Sequence, residues 1–247
     1  MKYDATDIPR VYDAGRGLSP SVLAMWARAI GARAPRSRVS AILDLGCGTG
    51  RFVELLRQEY DAYLIGIDPS RQMLARARTK SLTRTDYACG NGEDIPIRDA
   101  SIDLVFMSMV FHHFGDPARV AAECKRLLRP GGWALVRTAI QERIPSYPYV
   151  PFFPSSRPLL EQRLPSLDDV RRPFETAGLG LTGKDVLVQE IAATHSEYAE
   201  RLALGADSVL ASLNRDDFET GLAAVRVFAE THDVPVTEPI DLFCFQA

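Results

Sequence analysis

ILDLGCGTG, residues 42–50, is the stretch on which the reading of this chain turns. Ala41, Ile42 and Leu43 lead into an acid, Asp44, and glycines then fall at every second position: Gly46, Gly48 and Gly50. Phe52, Val53, Leu55 and Leu56 follow at helical spacing. The pattern is that of a buried strand ending in a tight turn that feeds a helix. Glycines suit such a turn because they tolerate positive φ and let a ligand approach the backbone. The first turn of the helix then points unpaired N–H groups at whatever sits there.

Two details narrow the ligand. The spacing is G-x-G-x-G, without the extra residue of dinucleotide-binding loops and without the Lys-Ser/Thr of a P-loop. Asp44 stands two residues before the first glycine, where a carboxylate would repel a pyrophosphate by about 1–4 kcal/mol at contact distance. A ligand carrying positive charge suits it better. Further on, YLIGID at residues 63–68 is a second apolar run ending in an acid, Asp68. An open α/β sheet places there the carboxylate that grips a ribose diol. The ligand implied is nucleoside-like and cationic.

The glycine loop is followed by GIDPS (66–70), GNGEDIP (90–96) and SIDLVFMSMVFHHF (101–114). In this order, over roughly residues 40–139, these motifs resemble class I S-adenosylmethionine-dependent methyltransferases, and most of all the small-molecule, methyltransferase type 11-like branch. The resemblance implies a Rossmann-like, mostly parallel seven-stranded sheet and S-adenosylmethionine as cofactor, with S-adenosylhomocysteine as product. It implies that Asp44, Gly46, Cys47, Gly48 and Gly50 lie against the methionine part and that Asp68 binds the ribose. Asn91 and Gly92, followed by Glu93, match the adenine-reading segment, Met73 an apolar cover of the base, and Met107 and Ser108 the strand end near the amino group. The adenine position usually holds Asp; Asn91 can still accept from the adenine amino group through its amide oxygen.

The 247 residues suffice for one α/β domain with insertions. The expected division is an N-terminal arm and helix (1–38), a cofactor-binding core (39–139), a lid (140–165) and a C-terminal part (166–247) with a helical insertion at 194–232. Apolar residues make 46% and charged residues 25% of the chain, as in ordinary globular proteins. A net charge of −3 and a pI near 5.9 leave no basic footprint for nucleic acid or an anionic membrane. Cys47, Cys89, Cys124 and Cys244 are scattered, with no C-x-x-C and no histidines at metal spacing, so reduced, mostly buried thiols and no metal are expected. MKYDATDIPR at the start has no apolar core of a leader, and no apolar run reaches membrane-spanning length. A cytoplasmic monomer or homodimer acting on a small molecule is the expectation.

In chain order, Tyr3, Tyr12 and Arg16 mark an N-terminal segment similar to those that fold over the cofactor in some members of the class. Ser19 caps a helix with Pro20 at its first position. Residues 70–79, 116–128 and the stretch after Ser166 read as further helices, and 85–89, 103–107 and 133–138 as strands, with Arg129-Pro130-Gly131-Gly132 ending the helix at 116–128. This alternation predicts a doubly wound parallel sheet with ligands at the carboxyl ends of its strands. Residues 184–191 and 240–245 read as the last two strands. Between them, where a hairpin would suffice, two helical stretches split near Asn214 carry Leu202, Leu204, Val209, Leu210, Leu222, Val225, Val227 and Phe228.

Residues 140–165 interleave six prolines with Tyr147, Tyr149, Phe152 and Phe153. Proline density excludes a long regular element, and the aromatics argue against disorder. A loop of this length after the fifth strand is expected to wall the substrate pocket. A sulfonium methyl is already activated, so positioning and exclusion of water are the main tasks. His113, and next His112, are the candidates for a general base. Arg137 is one of several arginines able to hold a carboxylate, and Arg51 reads as a surface charge. Two alternatives compete: a catalytically silent cofactor-binding or scaffold protein, and an NAD(P)-dependent oxidoreductase, which the glycine spacing opposes. A nucleic-acid methyltransferase lacks both a basic patch and an N/D-P-P-Y/F strand end.

Overall fold

The computed structural model describes residues 13–80 and 82–247. Tyr3 and Tyr12 lie outside the described residues. The strands are β1 (Ala41–Leu45), β2 (Tyr63–Asp68), β3 (Thr85–Cys89), β4 (Ile102–Ser108), β5 (Leu128–Thr138), β6 (Gly180–Ala192) and β7 (Val236–Gln246). They form one sheet in the order β3-β2-β1-β4-β5-β7-β6. β1 pairs in parallel with β2 and β4, β2 with β3, and β4 with β5. β7 runs antiparallel between β5 and β6. The doubly wound, mostly parallel seven-stranded sheet expected from the sequence is present.

The helices are α1 (Pro20–Arg33), α2 (Arg51–Glu59), α3 (Arg71–Thr79), α4 (Pro117–Leu127), α5 (Ser156–Arg163), α6 (Leu167–Thr176), α7 (His195–Ala203) and α8 (Arg215–Ala229). Side-chain caps set most of their starts. Ser19, Ser70, Asp116, Thr194 and Asn214 each accept a backbone N–H three residues on. Ser166 and Asp169 form a reciprocal capping box on α6.

The central strands are buried on both faces, and alternate residues serve opposite layers. Leu104 and Phe106 pack with Trp26 and Ile30 of α1 and Phe52, Val53 and Leu56 of α2. Val105 and Met107 pack with Val120, Ala121 and Cys124 of α4 and Val170 and Phe174 of α6. A third cluster joins Tyr147, Tyr149 and Phe153 to Tyr198 and Leu202 of α7 and Leu222 and Val225 of α8. Among the described residues, no helix is long and apolar enough to cross a membrane.

Several boundaries differ from the sequence reading. Arg129-Pro130-Gly131-Gly132 does not stand outside the sheet: β5 begins at Leu128, and its register with β4 slips between Ile102 and Leu104. Gly131, at φ 76°, lets the backbone bend there without leaving the sheet. β6 and β7 are longer than read because each extends the other's ladder, from Gly180 opposite Gln246 to Ala192 opposite Val236. Residues 140–165 contain a 3-10 turn (Gln141–Ser146) and α5, whose Pro158 falls in the first turn, where a missing N–H costs nothing. In the insertion, Leu204 and Val227 face solvent, at 42% and 64% exposed. Cys47, Cys124 and Cys244 are buried free thiols, whereas Cys89 is exposed.

Candidate active site

Parallel pairing sets the carboxyl ends of β3, β2, β1 and β4 side by side. Asn91 and Gly92 follow β3, Asp68 ends β2, the glycine loop follows β1, and Met107 and Ser108 end β4. Strands about 4.8 Å apart make this a trough about 14 Å long from β3 to β4. Gly46, Gly48 and Gly50 have φ of 76°, 54° and 76°, a conformation that costs a side-chain-bearing residue strain. A Cβ built on Gly48 meets nothing within 4 Å, so the loop presents bare backbone to open space. Gly46 and Cys47 donate their N–H groups to the Ile67 carbonyl at 2.7 and 3.0 Å. Asp68 is buried and accepts from Gly48 N at 2.9 Å and Ser70 N at 2.8 Å.

Asp44 is 1% exposed, and neither of its carboxylate oxygens has a hydrogen-bond partner among the described residues. Burial, and secondarily the neighbouring Asp68, push its pKa up from the ordinary 3.8 to about 8. Burial likewise raises the Cys47 thiol well above the usual range, which leaves it an unreactive proton-bearing group. An uncompensated buried carboxyl beside a bare glycine loop fits a ligand that brings cationic and N–H-donating groups.

From this loop a cavity of about 940 Å³, counted out to its solvent mouth, extends towards β6 and β7. Asp44, the glycine loop, Phe52, Ser108 and Met109 form one side, and Arg137, Gln189, Tyr198, Asp207 and Glu238 are on the other. Arg137, 4% exposed, donates to Ser108 Oγ at 3.1 Å and Gln189 Oε1 at 2.8 Å. Its guanidinium lies 4.5 Å from the Trp26 ring centroid and 5.2 Å from that of Phe52. Gln189 Oε1 also accepts from Trp26 Nε1 at 2.8 Å, and Gln189 Nε2 donates to Glu238 Oε1 at 2.7 Å. Residues 13–18 close the near edge: Thr49 donates to Asp13 at 2.6 Å, Arg16 pairs with Asp207 at 3.2 Å, and Arg201 donates to the Gly17 carbonyl at 2.9 Å.

Against known proteins, residues 43–136 match the family model described as a methyltransferase domain. The loop, the β2 acid and the β4 tip all fall inside that match. Residues 43–136 are thus similar to methyltransferase domains. The chain is 36% identical over 114 residues to the malonyl-(acyl-carrier protein) O-methyltransferase of Marinomonas sp., covering 45% of this chain and 42% of that protein. It is 39% identical over 99 residues to the enzyme of the same name from Hamiltonella defensa, covering 40% of this chain and 38% of that one. The chain thus spans less than half the length of these curated relatives. Among solved structures, phosphoethanolamine N-methyltransferase 2 of Haemonchus contortus, in complex with phosphomonomethylethanolamine and S-adenosylhomocysteine, superposes with a TM-score of 0.65. The identity is 18%, over 99% of this chain and 58% of that one, so this likeness concerns the fold.

The structure brings together only part of what the sequence nominated. Asp44, Gly46, Cys47, Gly48, Ser108 and Arg16 line the cavity, while Gly50 is the residue before α2. Asp68, Met73, Asn91 and Gly92 lie off the cavity, on the β2–β3 side of the loop. Met73 is buried in α3, Met107 in the core, and Asn91 is exposed. Glu93 is engaged elsewhere: its carboxylate accepts from Gly115 N at 3.0 Å and Asp116 N at 3.4 Å, bracing the start of α4.

The aromatic wall expected from residues 140–165 is a correction. Tyr147, Tyr149 and Phe153 are 4%, 7% and 1% exposed and face the third core cluster, with Phe152 packed on its rim against Phe228. None of the four lines the cavity. The Tyr147 hydroxyl is turned inward on the Ile140 backbone, accepting from its N–H at 3.1 Å. These aromatics support the helices that build the wall. His112 and His113 also stand outside the cavity, in a 3-10 turn after β4. Burial holds His112 down at about 3, so it is neutral at physiological pH.

Sequence reasoning did not nominate Gln189, Tyr198, Asp207 or Glu238, and it placed Arg51 at the surface although Arg51 lines the cavity. Glu238 fell two residues before the strand as read. An acid and an amide interrupting paired apolar strands were the signal available.

Proposed function

We propose that this chain transfers the methyl group of S-adenosylmethionine to an O, N or C atom of a small-molecule acceptor seated between the glycine loop and the β6–β7 wall. The observation that carries this reading is Asp44, a buried carboxyl with no hydrogen-bond partner among the described residues, at the end of β1 beside a bare glycine loop. When bound, the cofactor supplies an activated methyl group on a positively charged sulfur. Asp44 and residues 46–50 hold its methionine part, Asp68 its ribose hydroxyls, and Asn91, Gly92 and Met73 its base. The malonyl-(acyl-carrier protein) O-methyltransferases named above support methyl transfer to a metabolite-sized group in preference to nucleic acid.

What the protein contributes is orientation and dryness. Phe52 and Met109 give the cavity apolar surface near the loop, and the Arg137–Gln189–Glu238 network holds its far side rigid. Residues 13–18, tied to both sides, limit access of water. His112 and His113 do not line this cavity. Titration calorimetry with S-adenosylhomocysteine and with NADH tests the cofactor assignment: binding of the first alone is expected, and tighter binding of NADH overturns it. Release of S-adenosylhomocysteine across a panel of small acceptors then tests turnover.

A further inference from the structure

Resting on the methyl-transfer reading, we infer that the β6–β7 side of the cavity is a seat for an amine, with the Glu238 carboxylate and the Tyr198 hydroxyl as its hydrogen-bonding groups. The orientation of Gln189 is fixed by its neighbours. Its oxygen takes the Trp26 indole and the Arg137 guanidinium, both pure donors, so its amide N–H is delivered to Glu238 Oε1. Glu238 is therefore held as an acceptor, 8% exposed, with a neutral amide as its hydrogen-bond partner among the described residues. A buried carboxylate so placed is stabilised by an incoming group that brings N–H donors and positive charge.

Tyr198 supplies a second, independent observation. It is 4% exposed and lines the cavity, yet its hydroxyl has no hydrogen-bond partner among the described residues. Burial, then Glu238 and Asp207, raise its pKa well above the ordinary 10, so the hydroxyl keeps its proton and still offers an acceptor lone pair. Two other charged groups on this side are paired. Asp207 pairs with Arg16 and accepts from Val209 N and Leu210 N at 2.8 and 3.1 Å. Arg201 pairs with Glu197 at 2.7 Å. Arg137 donates to two neutral acceptors, Ser108 and Gln189. An amine therefore meets in Glu238 a carboxylate whose hydrogen-bond partner is neutral.

The test is a set of binding measurements by calorimetry, with the protein both free and saturated with S-adenosylhomocysteine. Benzylamine, cyclohexylamine and ethanolamine are titrated against benzyl alcohol, cyclohexanol and ethylene glycol, their hydroxyl counterparts. At least one amine is expected to bind about tenfold or more tightly than its alcohol, the scale of one charge-assisted hydrogen bond. Glu238→Gln should bring the pair within about twofold of each other, and Tyr198→Phe should weaken the amine by about three- to tenfold. S-adenosylhomocysteine affinity and the thermal midpoint of both variants should match the parent, which separates loss of the seat from loss of the fold. Alcohols binding as well as amines, no amine binding at all, or a preference that survives Glu238→Gln would each overturn the inference. If amines bind through Glu238 while S-adenosylhomocysteine does not bind, the seat stands and the methyl-transfer reading falls.

Discussion

Replacing Asp44 with Asn removes a carboxyl that the ligand-free protein holds at a cost. In the folded chain this group gives up its proton near pH 8, against 3.8 ordinarily, because it is buried and faces Asp68. The folded state therefore keeps a proton that the unfolded chain releases above about pH 4. The stability this provides is complete below the unfolded value and drains away as pH rises towards 8, at about 1.36 kcal/mol per pH unit. From pH 5 to 7 the loss comes to about 2.7 kcal/mol, or roughly 5–10 °C in thermal midpoint for a chain of this size. Asn has no such proton to lose. Urea or thermal unfolding of parent and Asp44→Asn at pH 5, 6, 7 and 8 without ligand should show the variant gaining on the parent by that amount between pH 5 and 7, then levelling off beyond pH 8. The same substitution should weaken S-adenosylhomocysteine, whose ammonium group would otherwise meet the carboxylate. Parallel pH profiles for the two proteins would refute the argument that Asp44 is an uncompensated acid awaiting a cation.

Asp68→Ala should weaken S-adenosylhomocysteine by about 1.5–3 kcal/mol in calorimetry, the scale of hydrogen bonds to a charged group; unchanged affinity would remove the ribose assignment. Phe153, 1% exposed, packs its ring onto Gly221, where an added Cβ would lie 2.3 Å from its Cδ1. Phe153→Ala should therefore cost about 3–5 kcal/mol in urea unfolding while leaving S-adenosylhomocysteine affinity within about twofold at a temperature where the variant is folded. A stable variant with weakened ligand binding would return Phe153 to the pocket wall. Gly46→Ala places a Cβ 2.4 Å from Val110 Cγ2 at a φ of 76°, and denaturation should show a loss of about 1–3 kcal/mol. An unchanged midpoint would mean that the loop is looser than described.

The cofactor half of the molecule was legible because its constraints are local. A strand, a glycine turn and a helix start lie within a dozen residues of one another, and each has a one-dimensional signal: apolar run, alternating glycines, Ser or Asp cap. Asp44 and Asp68 were visible for the same reason, as acids ending apolar runs. The acceptor side was not, because it is assembled from residues far apart in the chain. Trp26 reaches Gln189 across 163 positions, and Gln189 reaches Glu238 across 49. Nothing near any one of these marks it as a partner of the others. The proline- and tyrosine-rich stretch was misassigned because exposure was inferred from composition. Loop aromatics bury themselves wherever an adjacent apolar helix face is offered, and α7 and α8 offer one.

β6 and β7 are antiparallel neighbours, and such a pair can be joined by a turn of two residues. Here α7 and α8 are interposed, although the sheet's connectivity makes no demand for them. The segment that carries Tyr198 and Asp207 is thus a detachable cassette hung from a junction that would close without it. Such a piece can change in length while the strands on either side keep their partners, so one wall of the cavity is independent of the glycine loop opposite.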